Sequence, residues 1–182
     1  EDAQKVPAAI SVLGSDDLSR TYTVNLSQVA QLVPALNYSS PNPRNTAFTI
    51  RELGSSVVAI SQANDGLEPG VGFYVDQVYQ ARPATAAFDF TDIEQIEVLR
   101  GPQGTTFGKN TTAGLVSIIT ADPTPDWAGV ASLQDGQLGR RHVELALSGP
   151  LLEDVVDFRI AVLKDDLAGF VQEEAATTAY WS

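Results

Sequence analysis

Apolar and polar residues alternate in short runs along most of this chain, and helical spacing holds in two brief stretches near its start. The run VPAAISVL (residues 6–13) predicts a short strand, with Pro7 near its beginning where a missing N–H is tolerated. Ser15 is the predicted N-cap of a brief helix over Asp16, Asp17 and Leu18, with both acids in the favourable first turn. Asn25 and Gln28 have capping-box spacing, Leu26, Val29, Leu32 and Val33 fall on one helical face, and Pro34 ends that second helix. Beyond it FTIR (residues 48–51), VGFYVD (71–76) with QVY (77–79), IEQIEVL (93–99) and the β-branched LVSIIT (115–120) read as strands. In the third of these, Ile93, Gln95, Glu97 and Leu99 are predicted to share one side. Residues 54–70 are rich in Ser, Asn, Asp and Gly, and a loop that long inside a compact domain is usually functional.

The sequence DPTP (residues 122–125) punctuates the chain, and a domain boundary is placed there, with residues 1–124 on one side and 125–182 on the other. Residues 127–134, 140–148 and 156–164 then form three alternating segments of strand length. Val143, Leu145 and Leu147 oppose His142, Glu144, Ala146 and Ser148, while Val156, Phe158, Ile160 and Val162 oppose Asp157, Arg159 and Ala161. Turn signals separate them at Asp135 and Gly136, and from Gly149 and Pro150 through Glu153 and Asp154. A fourth strand is expected from Gly169 toward Trp181. Such segments suit a soluble antiparallel meander or a barrel wall with one face in lipid; alternation alone does not choose.

Composition narrows the classes. Hydrophobic residues make up 43% of the chain, ordinary for a folded protein. No apolar run is long enough for a transmembrane helix, which leaves β-barrel strands open. Lys and Arg number 11 against 23 Asp and Glu, a net charge of −12, so a general electrostatic grip on nucleic acid is not expected. The absence of cysteine excludes disulfides and thiolate metal sites. Glu1 follows no basic-then-apolar leader, so a trimmed N-terminus is expected. His142 has no ligand partner nearby in sequence and is read as an ordinary polar-face histidine, and the adjacent acid pairs as turns and solvated faces. No nucleophile and base are arranged as in an active site, so no enzymatic activity and no cofactor are expected.

The most specific stretch is IEQIEVLRGPQGTTFGKNTTAGLVSIIT (residues 93–120), in which Gly101, Gly104, Gly108 and Gly114 punctuate a loop between two strands. It does not fit a phosphate-binding loop: Gln103 stands where the first glycine belongs, Asn110 replaces the Ser or Thr, and a strand follows instead of a helix. EVLRGPQG, FGKNTTAG and IIT are instead similar to the plug signature of TonB-dependent receptors. VPAAISVL, LVPAL (32–36), FTIR and VGFYVDQVY fall in that family's order, strongly over residues 6–124 and more loosely beyond. Two departures stand out: Glu52 and Gln77 occupy positions where the family commonly has glycine.

The resemblance implies an α+β plug domain, a small mixed sheet with short helices, followed by antiparallel strands of a transmembrane β-barrel that is incomplete in this chain. It implies a location in the outer membrane of a Gram-negative bacterium and TonB-dependent uptake of a scarce nutrient: a ferric siderophore, haem, cobalamin or glycan. The alternative is a plug-like structural subunit of a larger outer-membrane assembly. Implied partners are TonB with its ExbB–ExbD energy complex, acting on an N-terminal box expected to precede this chain, together with the nutrient ligand and outer-membrane lipid. Residues 126–182 allow about four strands where such barrels have about 22, so a piece of a larger receptor, or a subunit completed by other chains, is expected. Two loops are expected to meet the ligand, through Ser61, Gln62 and Asn64 in one and Tyr79, Gln80 and Arg82 in the other. Arg51 and Arg100 are expected to latch the plug to barrel-wall carboxylates, with Glu97 joining that network.

Overall fold

The computed structural model describes residues 9–40, 46–54, 69–81, 91–136, 140–152 and 155–166 of the 182-residue chain. The chain divides into two compact units, Glu1–Asp122 and Pro123–Ser182.

The first unit opens with β1 (Ala9–Gly14), α1 (Ser15–Arg20), α2 (Leu26–Leu32), β2 (Leu36–Ser39) and β3 (Ala47–Ile50). It continues with β4 (Val71–Val75), β5 (Val78–Tyr79), β6 (Ile93–Arg100), the single turn α3 (Gly104–Phe107) and β7 (Gly114–Thr120). Five strands make one sheet in the order β1-β6-β7-β4-β5, and β2 pairs with β3 separately. Among the described strands only β4 and β7 run parallel; the other pairs are antiparallel. This register sets Ala9, Arg100, Gly114 and Val71 at one end of the sheet. Gly14, Ile93, Thr120 and Val75 mark the opposite end.

Alternation along the central strands sorts their side chains between two cores. Val71, Phe73, Ile96, Val98, Val116 and Ile118 pack with Leu18, Leu26, Val29, Val33, Leu36, Phe48 and Ile50 from the helices and the β2–β3 pair. Each fully buried Val, Leu or Ile contributes about 1.5–3 kcal/mol, so this cluster supplies most of the unit's driving force. Tyr74, Leu99 and Leu115 form a smaller cluster on the other face with Ile10, Tyr79 and Phe107. Gly114 is required where β6 and β7 meet: its φ is +144°, and a Cβ would collide with the Leu99 carbonyl.

The capping box forms, with Asn25 Oδ1 accepting from the Gln28 N–H at 3.2 Å and Gln28 Oε1 reaching back to the Val24 N–H at 2.7 Å. Several expectations need correction. Gly14, not Ser15, is the N-cap of α1, because β1 runs straight into the helix and Ser15 is already helical; no side chain caps it. Leu32 lies at the surface, since α2 ends there and the chain turns at Val33. Arg51 leaves the strand, at φ +52°. Ile93 does not share a side with Leu99: an irregularity between Ile93 and Gln95 shifts the register, and Ile93 packs against the larger core.

The second unit is an antiparallel sheet of β8 (Ala128–Asp135), β9 (Arg141–Leu152) and β10 (Val156–Asp166), with β9 in the middle. Register places Gly129, Ala131 and Leu133, Val143, Leu145 and Leu147, and Phe158, Ile160 and Val162 on one face. Ser132, Gln134, His142, Glu144, Ser148, Arg159 and Asp165 share the opposite face with Val130, Ala146, Ala161 and Leu163. Gly149 and Pro150, expected to start a turn, lie inside β9. The last β9 residue paired with β8 is Ser148, opposite Ala128, so Pro150 sits where β9 is an open edge on that side, the position a strand allows proline. Gly149 admits the Trp127 ring, whose atoms lie 2.8 Å from where a Cβ would stand, and Trp127 meets Phe158 edge-on at 5.6 Å. Residues 6–8 of the first expected strand and the expected fourth strand after Gly169 lie outside the described residues.

Candidate functional site

In the first unit, polar loops collect at the sheet end marked by Arg100 and Gly114. The loop between β6 and β7 is closed on itself: the Gly101 N–H donates to the Ala113 carbonyl at 3.0 Å, the Gln103 N–H to the Thr111 carbonyl at 2.9 Å, and Thr111 Oγ1 to the Gly108 carbonyl at 2.8 Å. The Ala113 N–H donates to the Gly70 carbonyl at 2.9 Å, tying this loop to the residue that precedes β4.

Two tyrosines, directly opposite each other on β4 and β5, hold the same loop from the side. Tyr74 Oη donates to the Phe107 carbonyl at 2.8 Å, and Asn110 Nδ2 donates to Tyr79 Oη at 2.7 Å. The Tyr74 ring lies 5.4 Å from Phe107 and 5.5 Å from Tyr79. Burial, reinforced by Tyr79, raises the Tyr74 phenol above its ordinary pKa, so it keeps the proton it donates. Tyr79, expected to offer its ring to a ligand, is thus engaged in fixing the loop. Gln80 follows it half-buried, its N–H donating to the Phe73 carbonyl at 2.8 Å and its side-chain amide to the Val78 carbonyl at 3.3 Å. Ser61, Gln62, Asn64 and Arg82 lie outside the described residues.

Two hairpin turns of one geometry stand at opposite ends of the sheet. Ile50 and Leu53 exchange both backbone hydrogen bonds at 2.9 Å, and the two residues between them, Arg51 and Glu52, have φ +52° and +63°. Val75 and Val78 pair likewise across Asp76 and Gln77, at φ +47° and +66°. Positive φ at both central residues defines a type I′ turn, whose twist matches a hairpin and whose second position favours glycine. The two departures noted in the sequence are therefore the second residues of these turns, and the turn geometry is kept with Glu52 and Gln77 in place. Neighbouring contacts hold both turns. The Arg51 N–H donates to the Ala35 carbonyl at 2.8 Å, and the Asp76 carboxylate accepts from the Thr120 N–H at 2.9 Å and its hydroxyl at 3.0 Å.

Of the three latch residues, Arg51 is exposed and Arg100 half-buried, its Nε 3.4 Å from the Ala9 carbonyl. Glu97 accepts from Gln95 Nε2 at 3.0 Å. Alternation sets Glu97 on the sheet face opposite Arg100, and among the described residues the two form no ion pair with each other. Sequence reading missed Tyr74, Phe107, Asn110, Asp76 and Thr120. The signal for Asp76 was present, as an acid opening a two-residue turn between two strands.

In the second unit His142 is 3% exposed, with Nδ1 3.2 Å from the Asp165 carboxylate. Arg140 donates to the same carboxylate through Nη2 at 2.6 Å. Register places Asp165 directly opposite His142, a partnership across 23 residues that sequence spacing does not reveal.

Residues 2–115 match the TonB-dependent receptor plug domain. The pesticin receptor of Yersinia enterocolitica is 28% identical over 154 residues, covering 85% of this chain and 22% of that protein. The ferric enterobactin receptor PirA of Pseudomonas aeruginosa is 25% identical over 169 residues, covering 84% of this chain and 22% of its own length. The solved ferric yersiniabactin uptake receptor FyuA from Yersinia pestis aligns with a TM-score of 0.70 at 26% identity, over 86% of this chain and 24% of that one. The ferripyoverdine receptor of the Pseudomonas aeruginosa outer membrane shares the fold, with a TM-score of 0.70 at 20% identity over 91% of this chain and 21% of its own. The chain therefore spans less than a quarter of the length of these relatives. A family match over residues 2–115, most of the first unit, decides the assignment. The chain belongs to the TonB-dependent receptors of the Gram-negative outer membrane, and its first unit has the fold of their plug domain.

Proposed function

We propose that this chain is the plug and opening wall strands of a receptor that imports a ferric siderophore in a TonB-driven cycle. In this reading residues 1–124 form the plug and residues 125–182 begin the barrel. The observation that carries it is the juxtaposition, in one chain, of a plug-family unit with a sheet whose apolar residues point outward. Relatives named for ferric yersiniabactin, ferric enterobactin, ferripyoverdine and ferrichrome support an iron chelate as the cargo.

The plug's part is to close the barrel and present a polar surface to the cargo. Its loop-bearing end, with the Arg51–Glu52 turn and Gln80, serves as that surface in this reading, with Ser61, Gln62, Asn64 and Arg82 proposed as further ligand contacts. Tyr74 and Tyr79 keep the loop between β6 and β7 in a fixed shape beneath it, so that binding does not first have to order it. Arg51 and Arg100 are left to meet wall carboxylates supplied from outside this chain. TonB, energised by ExbB–ExbD, would act on the segment that leads into β1.

The test is radioactive-iron uptake by cells with and without the receptor that carries this chain, in strains with and without TonB. A trihydroxamate, a triscatecholate, yersiniabactin and pyoverdine serve as chelators. Uptake of at least one chelate that needs both the receptor and TonB is expected. Uptake of none, with receptor-dependent growth on a glycan or cobalamin, overturns the iron assignment; indifference to TonB favours a structural subunit.

A further inference from the structure

The passage from the first unit to the second is short and tied at both ends. On one side the Ala121 N–H donates to the Asp92 carbonyl at 2.9 Å, within the first unit. On the other the Thr124 N–H donates to Ser148 Oγ at 2.8 Å, within the second. Asp122 and Pro123 lie between, so the joint spans at most about 11 Å from Ala121 to Thr124. The ring of Pro123 fixes one dihedral, and Asp122, as the residue before a proline, is restricted to extended backbone. Thr124 stands between two prolines, so its N–H is the sole backbone donor of residues 123–125, and Ser148 takes it.

The grip on the second unit is two-sided. Ser148 lies on the polar face of the sheet, fully buried, and its hydroxyl donates to the Phe158 carbonyl at 3.0 Å, so one side chain ties Thr124 to both β9 and β10. Thr124 Oγ1 donates to the Asp126 carbonyl at 2.8 Å. Trp127 then takes the apolar face: its ring lies on Gly149, the residue after Ser148, and meets Phe158 edge-on. Residues 124–127 thus hold β9 from both faces just before β8 begins at Ala128, the partner of Ser148.

We propose that Ser148, Gly149 and Trp127 form a clamp that shields the wall sheet from movement of the plug, so that displacement during transport is taken up at Asp122 and Pro123 and does not loosen β8. The inference rests on the TonB-driven reading above and adds to it the place where moving and fixed parts divide. A chain under tension opens first where the fewest contacts hold it. The clamp makes that place the joint, and not the first β8–β9 pair.

The experiment uses the full-length receptor with Ser148→Ala, which removes the hydroxyl, and Gly149→Ala, whose methyl would occupy the place of the Trp127 ring. Amide hydrogen exchange in lipid vesicles reads the clamp itself. Thr124 is expected to exchange about tenfold faster in Ser148→Ala, the consequence of one lost hydrogen bond, while β7 is unchanged. Sensitivity of cells to vancomycin, a large antibiotic that a closed receptor excludes, reads the role in transport. The double variant is expected to sensitise cells that contain TonB and to leave cells without TonB as resistant as those carrying the parent. Exchange at Thr124 unaltered by Ser148→Ala overturns the clamp. Equal sensitivity without TonB, or none with it, overturns its role in transport while leaving the TonB-driven reading standing. A parent receptor whose iron uptake is indifferent to TonB overturns that reading, and this role with it, whatever the exchange shows.

Discussion

The two units obey opposite burial rules with similar residues. In the first, Leu26, Val29, Ile96 and Leu115 are fully buried, and the charged residues of the same elements lie toward the surface. In the second, Leu133 is 80% exposed and Leu145 51%, while Ser148 is fully buried and His142 nearly so. Both units alternate along their strands, so alternation is not what differs. The first unit closes a core because its sheet is covered by helices on one face and by the β6–β7 loop on the other. The second leaves Leu133, Leu145, Leu147, Ile160 and Val162 exposed on one face that ends in Lys164 and Arg141, which is unfavourable in water and suits hydrocarbon. One polypeptide thus carries a unit that buries its apolar residues and a sheet that exposes many of them, and the proposed function uses both.

The largest expected effect of that contrast is on solubility. Residues 1–122 expressed alone should be monomeric in buffer, whereas residues 1–182 should self-associate through the apolar face and the open edges of β8 and β10 unless detergent is present. Sedimentation in buffer and in detergent reads this out, and a monomeric full chain in buffer breaks the comparison.

Next in size are two substitutions that exchange the rules. Ile96→Ala empties part of the first unit's core and should destabilise it by about 2–5 kcal/mol in urea unfolding of residues 1–122. Leu147→Arg, on the outward face of β9, should destabilise the assembled receptor by about 2–4 kcal/mol when folding into lipid vesicles is measured. Glu144→Gln on the opposite face of the same strand should change little. Equal tolerance of Leu147→Arg and Glu144→Gln would remove the argument for a lipid-facing side.

How much of this was legible in the sequence follows from what each signal depends on. The Asn25–Gln28 cap, β7 and the strand segments of the second unit were readable, because capping and alternation are local and periodic. The plug assignment was readable because several ordered motifs carry it. What escaped depends on partners far along the chain. The irregularity that rotates Ile93 into the main core is set by its pairing with Thr120. The continuation of β9 through Pro150 depends on where β8 stops. In the candidate site the polar loops are legible from composition, whereas the bond that holds Tyr79 is not, because Asn110, its partner, lies 31 residues away.

Asp76 gives a smaller test, within the first unit alone. Its carboxylate ties the β4–β5 turn to the last residue of β7 through two hydrogen bonds at the surface. Asp76→Ala should lose about 1–2 kcal/mol of stability, and hydrogen exchange should show the end of β7 fraying first. Asp76→Asn, which retains an acceptor oxygen, should lose less. If both variants match the parent, the contact is incidental to stability.

The smallest effect has the opposite sign. Gln77 sits at φ +66°, and its side chain is exposed. Glycine adopts that conformation without the steric penalty of about 1–2 kcal/mol, but it gives the unfolded chain more freedom, which takes back part of the gain. The net expectation for Gln77→Gly is a stabilisation of about 0.5–1 kcal/mol, seen as a rise of a few degrees in the melting temperature of residues 1–122. Glu52→Gly should give a similar rise, since its turn has the same geometry. The two gains should add, because the turns lie at opposite ends of the sheet and share no partner. In contrast, Leu145→Gly in the middle of β9 should destabilise the assembled receptor, because there glycine gains no conformational relief and removes an apolar side chain from the exposed face of the strand. A fall in stability on Gln77→Gly would show that the side chain contributes more at this turn than the backbone strain removes.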